Sequence, residues 1–288
     1  MKKETERKIM DNRQKEYFQQ AYDTAAKLVL KATDEFTEMF PNSASVNHFY
    51  QPVKMTDWTE GFWTGEVWLA FEKTGDEKLK RTAEIEVEKF NQRIKERIVV
   101  DHHDMGFLYS PSCVAAYKLT GNEVAKEAAL LAADNLLGRF HEKGQFFQAW
   151  GELGAEDNYR LIIDCLLNMP LLFWAGEVTG DPKYAKKAKA HIRTAMKCII
   201  REDNSTYHTY FFDQNTGEPL RGVTHQGYRD GSAWARGQAW GIYGIALSYH
   251  YLRDESYIRL FERVTDFFLS HLPEDLIPYW DFDFDTGS

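Results

Sequence analysis

Residues 62–93 read FWTGEVWLAFEKTGDEKLKRTAEIEVEKFNQR, and this stretch decides the fold. Its first part, 62–73, is apolar nearly all round, which predicts a buried helix. Its second part, 77–93, alternates charged and apolar residues at helical spacing and predicts a helix with one side in solvent. Between them, Gly75 lies where a helix C-terminus favours a left-handed residue, and Asp76 lies where the next helix favours an N-cap. The stretch therefore predicts a hairpin of one inner and one outer helix.

The same plan recurs along the chain at irregular intervals. Apolar helices are predicted at 111–119, 168–178 and 237–252, and amphipathic helices follow the first two at 123–140 and 183–199. The turns that end the apolar helices are Thr120-Gly121-Asn122, Thr179-Gly180-Asp181 and Arg253-Asp254-Glu255. Alternating inner and outer helices predict an all-α toroid of helical hairpins, in which the loops at one end of the inner helices surround a central cleft.

The remaining segments complete this prediction. Residues 4–39 contain no Gly or Pro and predict one long helix, whereas 207–212 predicts a strand that forms a hairpin with the turn at 213–217. Residues 280–288 have loop chemistry, so the ring is predicted to be incomplete at its C-terminal end. Because no linker divides the chain, residues 1–288 are predicted to form a single domain.

Composition excludes several classes of partner. The net charge is −9 and the pI is near 5.5, which argues against nucleic acid or an acidic membrane as a partner, since both require a basic face. No apolar run reaches transmembrane length and none follows the basic N-terminus, so the protein is predicted to be cytoplasmic. Cys113, Cys165 and Cys198 form no C-x-x-C pair and are predicted to be buried thiols. Aromatic residues make up 15% of the chain, enough to line a cleft as well as a core.

Asp164 is the first candidate for chemistry, because it is the only ionisable side chain between Leu161 and Trp174. A carboxylate in such apolar surroundings must be paired, solvated in a cavity, or partly neutral with a raised pKa. The last two conditions suit a general acid. The alternative is a core carboxylate held by an arginine such as Arg160.

A second acidic loop reads Asp101-His102-His103-Asp104. A metal site is one interpretation, but adjacent histidines rarely reach one ion together and no His-x-x-x-His partner is nearby. Asp104 is therefore a second candidate acid, with a helix cap or turn residue as the alternative.

Two further loops offer binding groups. Trp58 and Trp63 lie beside Gly61 and Gly65, which allow close helix approach, and the indoles suit either a sugar ring or the core. Arg236 begins an apolar inner helix, and its planar fork suits a substrate carboxylate.

Three motifs together resemble the unsaturated glucuronyl hydrolases, family 88 of the glycoside hydrolases. They are HDMGF at 103–107, IDCLLNMPLL at 163–172 and RGQAWG at 236–241. The resemblance runs from about residue 58 to residue 288. The related group that acts on unsaturated rhamnogalacturonan tends to carry another residue at the position of Gln238, which favours the glucuronyl group.

The resemblance implies an (α/α)6 toroid and a substrate with a 4,5-unsaturated uronic acid at its non-reducing end, such as a chondroitin- or hyaluronan-type disaccharide. No cofactor and no metal are expected. Asp164 would protonate C4 of the vinyl ether and then deprotonate the water that adds at C5, while Asp104 would hold sugar hydroxyls and keep Asp164 protonated. The sugar contacts implied are Trp58, Trp150, His208, Gln226, Arg236 and Trp240. Family members continue past the position of Ser288, so the chain is expected to lack their C-terminal part.

Other functions stay open at this point. An unsaturated rhamnogalacturonyl hydrolase shares most of the motifs. A toroid-type sugar epimerase would use His103, His208 and His225 for proton transfer. A carbohydrate-binding or assembly toroid would need neither Asp104 nor Asp164.

Overall fold

The computed structural model describes residues 12–285 and 287. The helices in these residues are α1 (Asn12–Ala32), α2 (Glu60–Thr74), α3 (Glu77–Lys95), α4 (Met105–Tyr109), α5 (Ala115–Thr120), α6 (Glu123–Leu137), α7 (Met169–Thr179), α8 (Pro182–Cys198), α9 (Ala235–Leu252) and α10 (Ser256–Ser270). The strands are β1 (Phe40–Val46), β2 (Phe49–Val53), β3 (Phe140–His141), β4 (Phe146–Phe147), β5 (Arg160–Ile162), β6 (Thr209–Phe212) and β7 (Pro219–Val223). They form three small antiparallel sheets, in the orders β1-β2, β3-β4 and β5-β6-β7.

Inner and outer helices alternate as predicted. The inner set is α2, the continuous helical segment from α4 to α5 (residues 105–120), α7 and α9. The outer set is α1, α3, α6, α8 and α10. Among the outer helices, α3 packs on α6 and α6 on α8, while among the inner helices α2 packs on α4 and α4 on α7. Apolar side chains of α7 are buried, whereas α8 exposes its lysines on one side. The periodicity of the sequence thus predicted which helices are buried.

The turns between inner and outer helices have the predicted caps. Gly75, Gly121 and Gly180 adopt left-handed φ angles of 70° to 72°. The residues that follow them accept backbone N–H groups through their side chains, at Asp76, Asn122 and Asp181. At the fourth turn, Arg253 takes the left-handed conformation and Asp254 accepts the N–H of Ser256.

The boundaries of one inner helix and one outer helix differ from the predictions. The inner helix predicted at 111–119 begins earlier, at Met105, and continues through a π-helical turn at Ser110–Val114. Pro111 does not end it, because this proline lies in the π-helical turn, where the regular α-helical hydrogen-bond pattern is already interrupted. The outer helix predicted at 123–140 ends at Leu137, since Phe140 pairs with Phe147 in a two-stranded sheet.

The N-terminal helix ends earlier than the predicted range 4–39. Helix α1 ends at Ala32, and the chain turns into the β1-β2 hairpin, which the sequence did not indicate. Hydroxyls of Thr33 and Thr37 donate to the carbonyls of Leu30 and Thr33, local bonds that accompany the end of the helix. The predicted residues 4–11 lie outside the described part of the chain. The predicted strand at 207–212 is confirmed as β6, which pairs with β7 across the turn.

The other fold-level predictions have mixed outcomes. Cys113, Cys165 and Cys198 are buried free thiols, as predicted. Within 12–285 and at 287, no helix has both the length and the apolar character needed to cross a membrane. Residues 280–285 form neither helix nor regular strand, apart from one bridge between Asp281 and Trp234. The single-domain boundary stays a prediction.

Glycines bring the starts of the inner helices together. A Cβ atom on Gly61 of α2 would lie 2.1 Å from the carbonyl oxygen of Phe107, and one on Gly106 of α4 would lie 2.3 Å from Cα of Asn168. These separations are far below van der Waals contact, so only glycine permits them. The loops that precede α2, α4 and α7 therefore converge on one side of the ring.

Candidate active site

Two carboxylates meet where these loops converge. Asp104 immediately precedes α4, and Asp164 lies in the 3-10 turn Ile163–Leu167 that precedes α7. Nε2 of His103 is 3.3 Å from Oδ1 of Asp104 and 3.5 Å from Oδ1 of Asp164. The two acidic side chains are only 15% and 20% exposed. Two acids distant in sequence therefore face one buried imidazole.

Asn168 links the two segments that carry these acids. Its Oδ1 accepts the N–H of Phe107 in the first turn of α4 at 2.8 Å, and its Nδ2 donates to the carbonyl oxygen of Asp164 at 3.4 Å. The side chain is fully buried. The sequence predicts no particular role for Asn168, although a polar residue inside so apolar a run requires hydrogen-bond partners.

Asp164 has the electrostatic setting of a general acid. Burial raises its pKa well above the ordinary value, the charge of Asp104 raises it further, and Arg236 only partly opposes both effects. Its Oδ1 atom has no hydrogen-bond partner. The alternative role, a core carboxylate held by Arg160, is not supported, because that guanidinium lies over the ring of Trp150 at 4.6 Å.

Asp104 is shifted in the opposite direction. Burial acts to raise its pKa, but the imidazoles of His103 and His102 outweigh burial and hold the pKa below its ordinary value. Nδ1 of His102 lies 3.0 Å from Oδ2 of Asp104. Asp104 occupies the position before α4, but its carboxylate makes no capping hydrogen bond there and faces the two histidines instead. Asp164 therefore retains its proton more readily than Asp104 does. This is the arrangement expected of a general acid and its charged neighbour.

Two histidines of the epimerase alternative, His103 and His208, are poorly suited to accept protons. Burial lowers the pKa of His103 to about 4 and that of His208 to about 3. Nδ1 of His208 already accepts the N–H groups of His225 and Gln226, at 3.0 and 3.3 Å. Both buried rings are therefore neutral near pH 7, and His208 positions a loop.

Aromatic side chains form the walls around the acids. The ring of Phe107 lies 5.3 Å from Trp58 and 5.5 Å from Trp240, between centroids. Trp150 lies 5.2 Å from His225 and 6.4 Å from His103 on the same measure. Phe107, three residues after Asp104, thus joins Trp58 and Trp240, and Trp150 lies beside His103.

Trp63 belongs to the core instead. Its Nε1 donates to Oε1 of Glu86 at 2.7 Å and to the carbonyl oxygen of Phe36 at 3.1 Å. Glu86 is itself fully buried, and this burial raises its pKa to about 8. The structure therefore separates Trp58, whose ring contacts Phe107, from Trp63, whose indole is hydrogen-bonded within the core.

A cationic group lies on the other side of Asp164. Nη2 of Arg236 donates to Oε1 of Gln226 at 2.5 Å, and its guanidinium lies 4.7 Å from the ring of Trp234. Arg236 is exposed, so its remaining N–H groups are open to solvent. Gln238, two residues later, is buried and donates to the carbonyl oxygens of Asn204 and Val264, so it shapes packing and does not face the cleft.

The same acids and His103 could in principle hold a cation. Their ligand atoms lie within 4.8 Å of one another. Only one imidazole belongs to this set, because His102 faces the other oxygen of Asp104. The sequence argument that both histidines would not reach one ion agrees with this geometry, and the absence of a metal stays a prediction.

The described helices and this cleft define an α/α toroid with a carboxylate pair where its inner helices begin. A family model described as Glycosyl Hydrolase Family 88 matches residues 28–280. The chain therefore belongs to glycosyl hydrolase family 88, which confirms the family and the enzyme class predicted from the three motifs.

Similar proteins support this assignment. The unsaturated chondroitin disaccharide hydrolase of Streptococcus agalactiae serotype III (strain NEM316) is 52% identical over 270 residues, which are 94% of this chain and 68% of that protein. A crystal structure of unsaturated glucuronyl hydrolase from Streptococcus agalactiae matches with a TM-score of 0.89 at 52% identity, over 93% of this chain and 68% of that one. A mutant of that enzyme complexed with dGlcA-GalNAc6S matches with a TM-score of 0.78 at 46% identity, over 93% of this chain and 67% of that one. The likeness confirms the predicted toroid.

Proposed function

We propose that the protein removes a 4,5-unsaturated uronic acid from the non-reducing end of glycosaminoglycan oligosaccharides by hydrating its vinyl ether. The observation that supports this most directly is the pair of acids around His103, in which Asp164 has a raised pKa and Asp104 a lowered one. Hydration of a vinyl ether begins with protonation of carbon, which requires an acid that still holds its proton near neutral pH.

In the proposed reaction, Asp164 donates its proton to C4, and positive charge develops at C5 and the ring oxygen. The conjugate base of Asp164 then removes a proton from the water that adds at C5. The resulting hemiketal opens to a ketone and leaves a hemiacetal at C1, which expels the alcohol of the next sugar. One water is consumed, and Asp164 ends protonated again. Asp104, as a carboxylate, raises the proton affinity of Asp164 and accepts sugar hydroxyls.

The remaining side chains would bind the sugar. Arg236 would pair with the uronate carboxylate while Gln226 orients its fork, an arrangement supported by their 2.5 Å hydrogen bond. Trp58, Trp150 and Trp240 would offer ring faces to the pyranose. His208 would act chiefly by fixing the backbone of His225 and Gln226, because its Nδ1 is occupied by their N–H groups.

We further propose a chondroitin-type disaccharide as substrate, with a hyaluronan-type disaccharide as the second candidate. The name of the streptococcal relative and the sugar bound in the mutant complex support the first. The rhamnogalacturonyl alternative is less favoured, although Gln238, the residue used against it, is buried away from the cleft. The cytoplasmic location stays a prediction.

The decisive experiment follows the ultraviolet absorbance of the conjugated double bond with unsaturated chondroitin and hyaluronan disaccharides. Asp164→Asn should fold and lose activity by roughly 10²- to 10⁴-fold, because the shape is kept while the proton donor is lost. Asp101→Asn is the matched control, since that carboxylate is exposed and pairs with Arg97 outside the acid pair. Wild-type activity in Asp164→Asn would contradict the mechanism, and loss in His103→Ala with Asp164→Asn fully active would favour the epimerase.

A further inference from the structure

Asp281 is a buried carboxylate that the proposed reaction does not use. Its side chain is fully buried, and among the residues described in the structure no ion pair joins it. Instead, its Oδ2 accepts the N–H of Tyr228 at 2.9 Å and the hydroxyl of Ser232 at 2.7 Å, and its Oδ1 accepts the N–H of Asp283 at 3.1 Å. A buried carboxylate satisfied only by neutral donors is uncommon and requires that those donors be held firmly.

Two of these donors belong to the loop 224–232, which carries Gln226. Oδ2 of Asp281 also lies so close to Gly227 that a Cβ atom there would be 2.9 Å away. The carboxylate therefore occupies the inside of the loop and fixes its path. The adjacent Trp280 adds a direct bond to the binding residue, since its Nε1 donates to the carbonyl oxygen of Gln226 at 2.6 Å.

The same segment, 280–283, also contacts the start of α9. The carbonyl oxygen of Trp280 accepts the N–H of Ala235 at 3.1 Å, and the N–H of Phe282 donates to Ala233 at 3.0 Å. Arg236 follows Ala235 directly, and its guanidinium lies 6.0 Å from the ring of Trp280. One segment thus binds both the loop that carries Gln226 and the helix turn that carries Arg236.

We propose that Trp280 and Asp281 are positioning residues that set the placement of Gln226 relative to Arg236, and through it the affinity of the cleft for the substrate carboxylate. The inference rests on the proposed function for its substrate, but the contacts that support it do not. Neither residue reaches the acid pair, so the effect is expected in substrate binding and not in proton transfer.

The test compares Trp280→Phe and Asp281→Asn with the wild type. Trp280→Phe keeps an aromatic ring but removes the Nε1 donor, and Asp281→Asn keeps the side-chain volume but replaces one acceptor oxygen with a donor. For both variants KM for the unsaturated disaccharide should rise about tenfold with little change in kcat. This is the change expected when one hydrogen bond between Arg236 and the substrate carboxylate is weakened. Asp213→Asn is the control, because that carboxylate likewise accepts neutral donors of its own turn, in the β6-β7 hairpin.

The methyl ester of the substrate separates positioning from general damage. The wild type should prefer the acid over the ester, and this preference should shrink in Trp280→Phe and Asp281→Asn but not in Asp213→Asn. An equal fall for acid and ester, or wild-type KM values in both variants, would overturn the proposal.

Hydrogen exchange supplies a readout that needs no activity. The amides of residues 226–228 should exchange faster in Asp281→Asn than in the wild type, while those of the β6-β7 hairpin should not change. Unchanged exchange at 226–228 would overturn the positioning role even if the enzyme is active. Failure of the wild type to consume any unsaturated disaccharide would instead overturn the proposed function, and the exchange result would still decide the role of Asp281.

Discussion

Replacing Asp104 with Asn should move the alkaline limb of the pH profile of kcat/KM to lower pH. The proposed reaction starts from protonated Asp164, so activity falls as pH rises through the pKa of that group. The charge of Asp104 is the second largest influence that raises this pKa, after burial. Asn keeps the shape of the side chain and removes the charge, so Asp164 should release its proton more readily.

The size of this effect follows from the geometry. The facing atoms of the two carboxyls lie within 4.8 Å of each other. Two unit charges at that separation repel by about 3 kcal/mol at an effective dielectric constant of about 20, a value suited to sites that are partly solvated. An interaction of this size shifts the pKa of Asp164 by far more than the experimental scatter in the position of the alkaline limb.

The assay is the pH dependence of absorbance loss with the unsaturated chondroitin disaccharide, measured on wild type, Asp104→Asn and the control Asp101→Asn. Loss of hydroxyl binding will lower the maximum rate of Asp104→Asn, but the position of the limb is independent of that maximum. A limb that stays in place, or moves to higher pH, would refute the electrostatic coupling of the two acids. The control should keep the wild-type limb.

Three further predictions concern stability. Because the pKa of Asp164 is raised in the folded state, ionisation of this carboxyl favours the unfolded chain above the unfolded pKa of about 4, so Asp164→Asn should melt at a higher temperature than wild type, with a gap that grows from acid to neutral pH. Burial lowers the pKa of His191 to about 3, so the folded state should lose stability as pH falls below about 6.5, and His191→Gln should show a shallower loss in denaturant titrations. Asn122→Ala removes the cap bond to Ala125 and should lower the free energy of unfolding by about 1 kcal/mol without changing kcat/KM.

The sequence predicted the helical hairpins because their signals are local. Apolar periodicity identified the buried helices, and Gly75 with Asp76 identified a turn by the backbone and capping needs of the two helix ends. The missed β1-β2 hairpin has no alternation of apolar and polar residues, and its strands are largely exposed, so no local pattern distinguishes it from the end of α1.

The site was predictable in its residues but not in its contacts. The apolar run around Asp164 indicated a raised pKa, and the resemblance supplied Asp104 as its neighbour. The role of Asn168 as the link between them depends on a hydrogen bond to Phe107 across 61 positions, which no spacing rule expresses. The loop predicted for Trp280 and Asp281 is correct, but no local pattern predicts their contacts, because their partners lie about fifty residues earlier.

The closeness of the two acids is opposed by their own electrostatics, and main-chain contacts hold them together. Repulsion between Asp104 and Asp164 acts to separate the start of α4 from the turn before α7. Gly106 lets these two backbones touch, and the buried amide of Asn168 bonds to both segments. Because the contact is between backbones, the two segments resist separation, and a proton kept on Asp164 relieves the repulsion. The raised pKa is thus a consequence of how α4 and α7 pack, and the same packing that weakens the stability of the ionised protein prepares the proton that the proposed reaction needs.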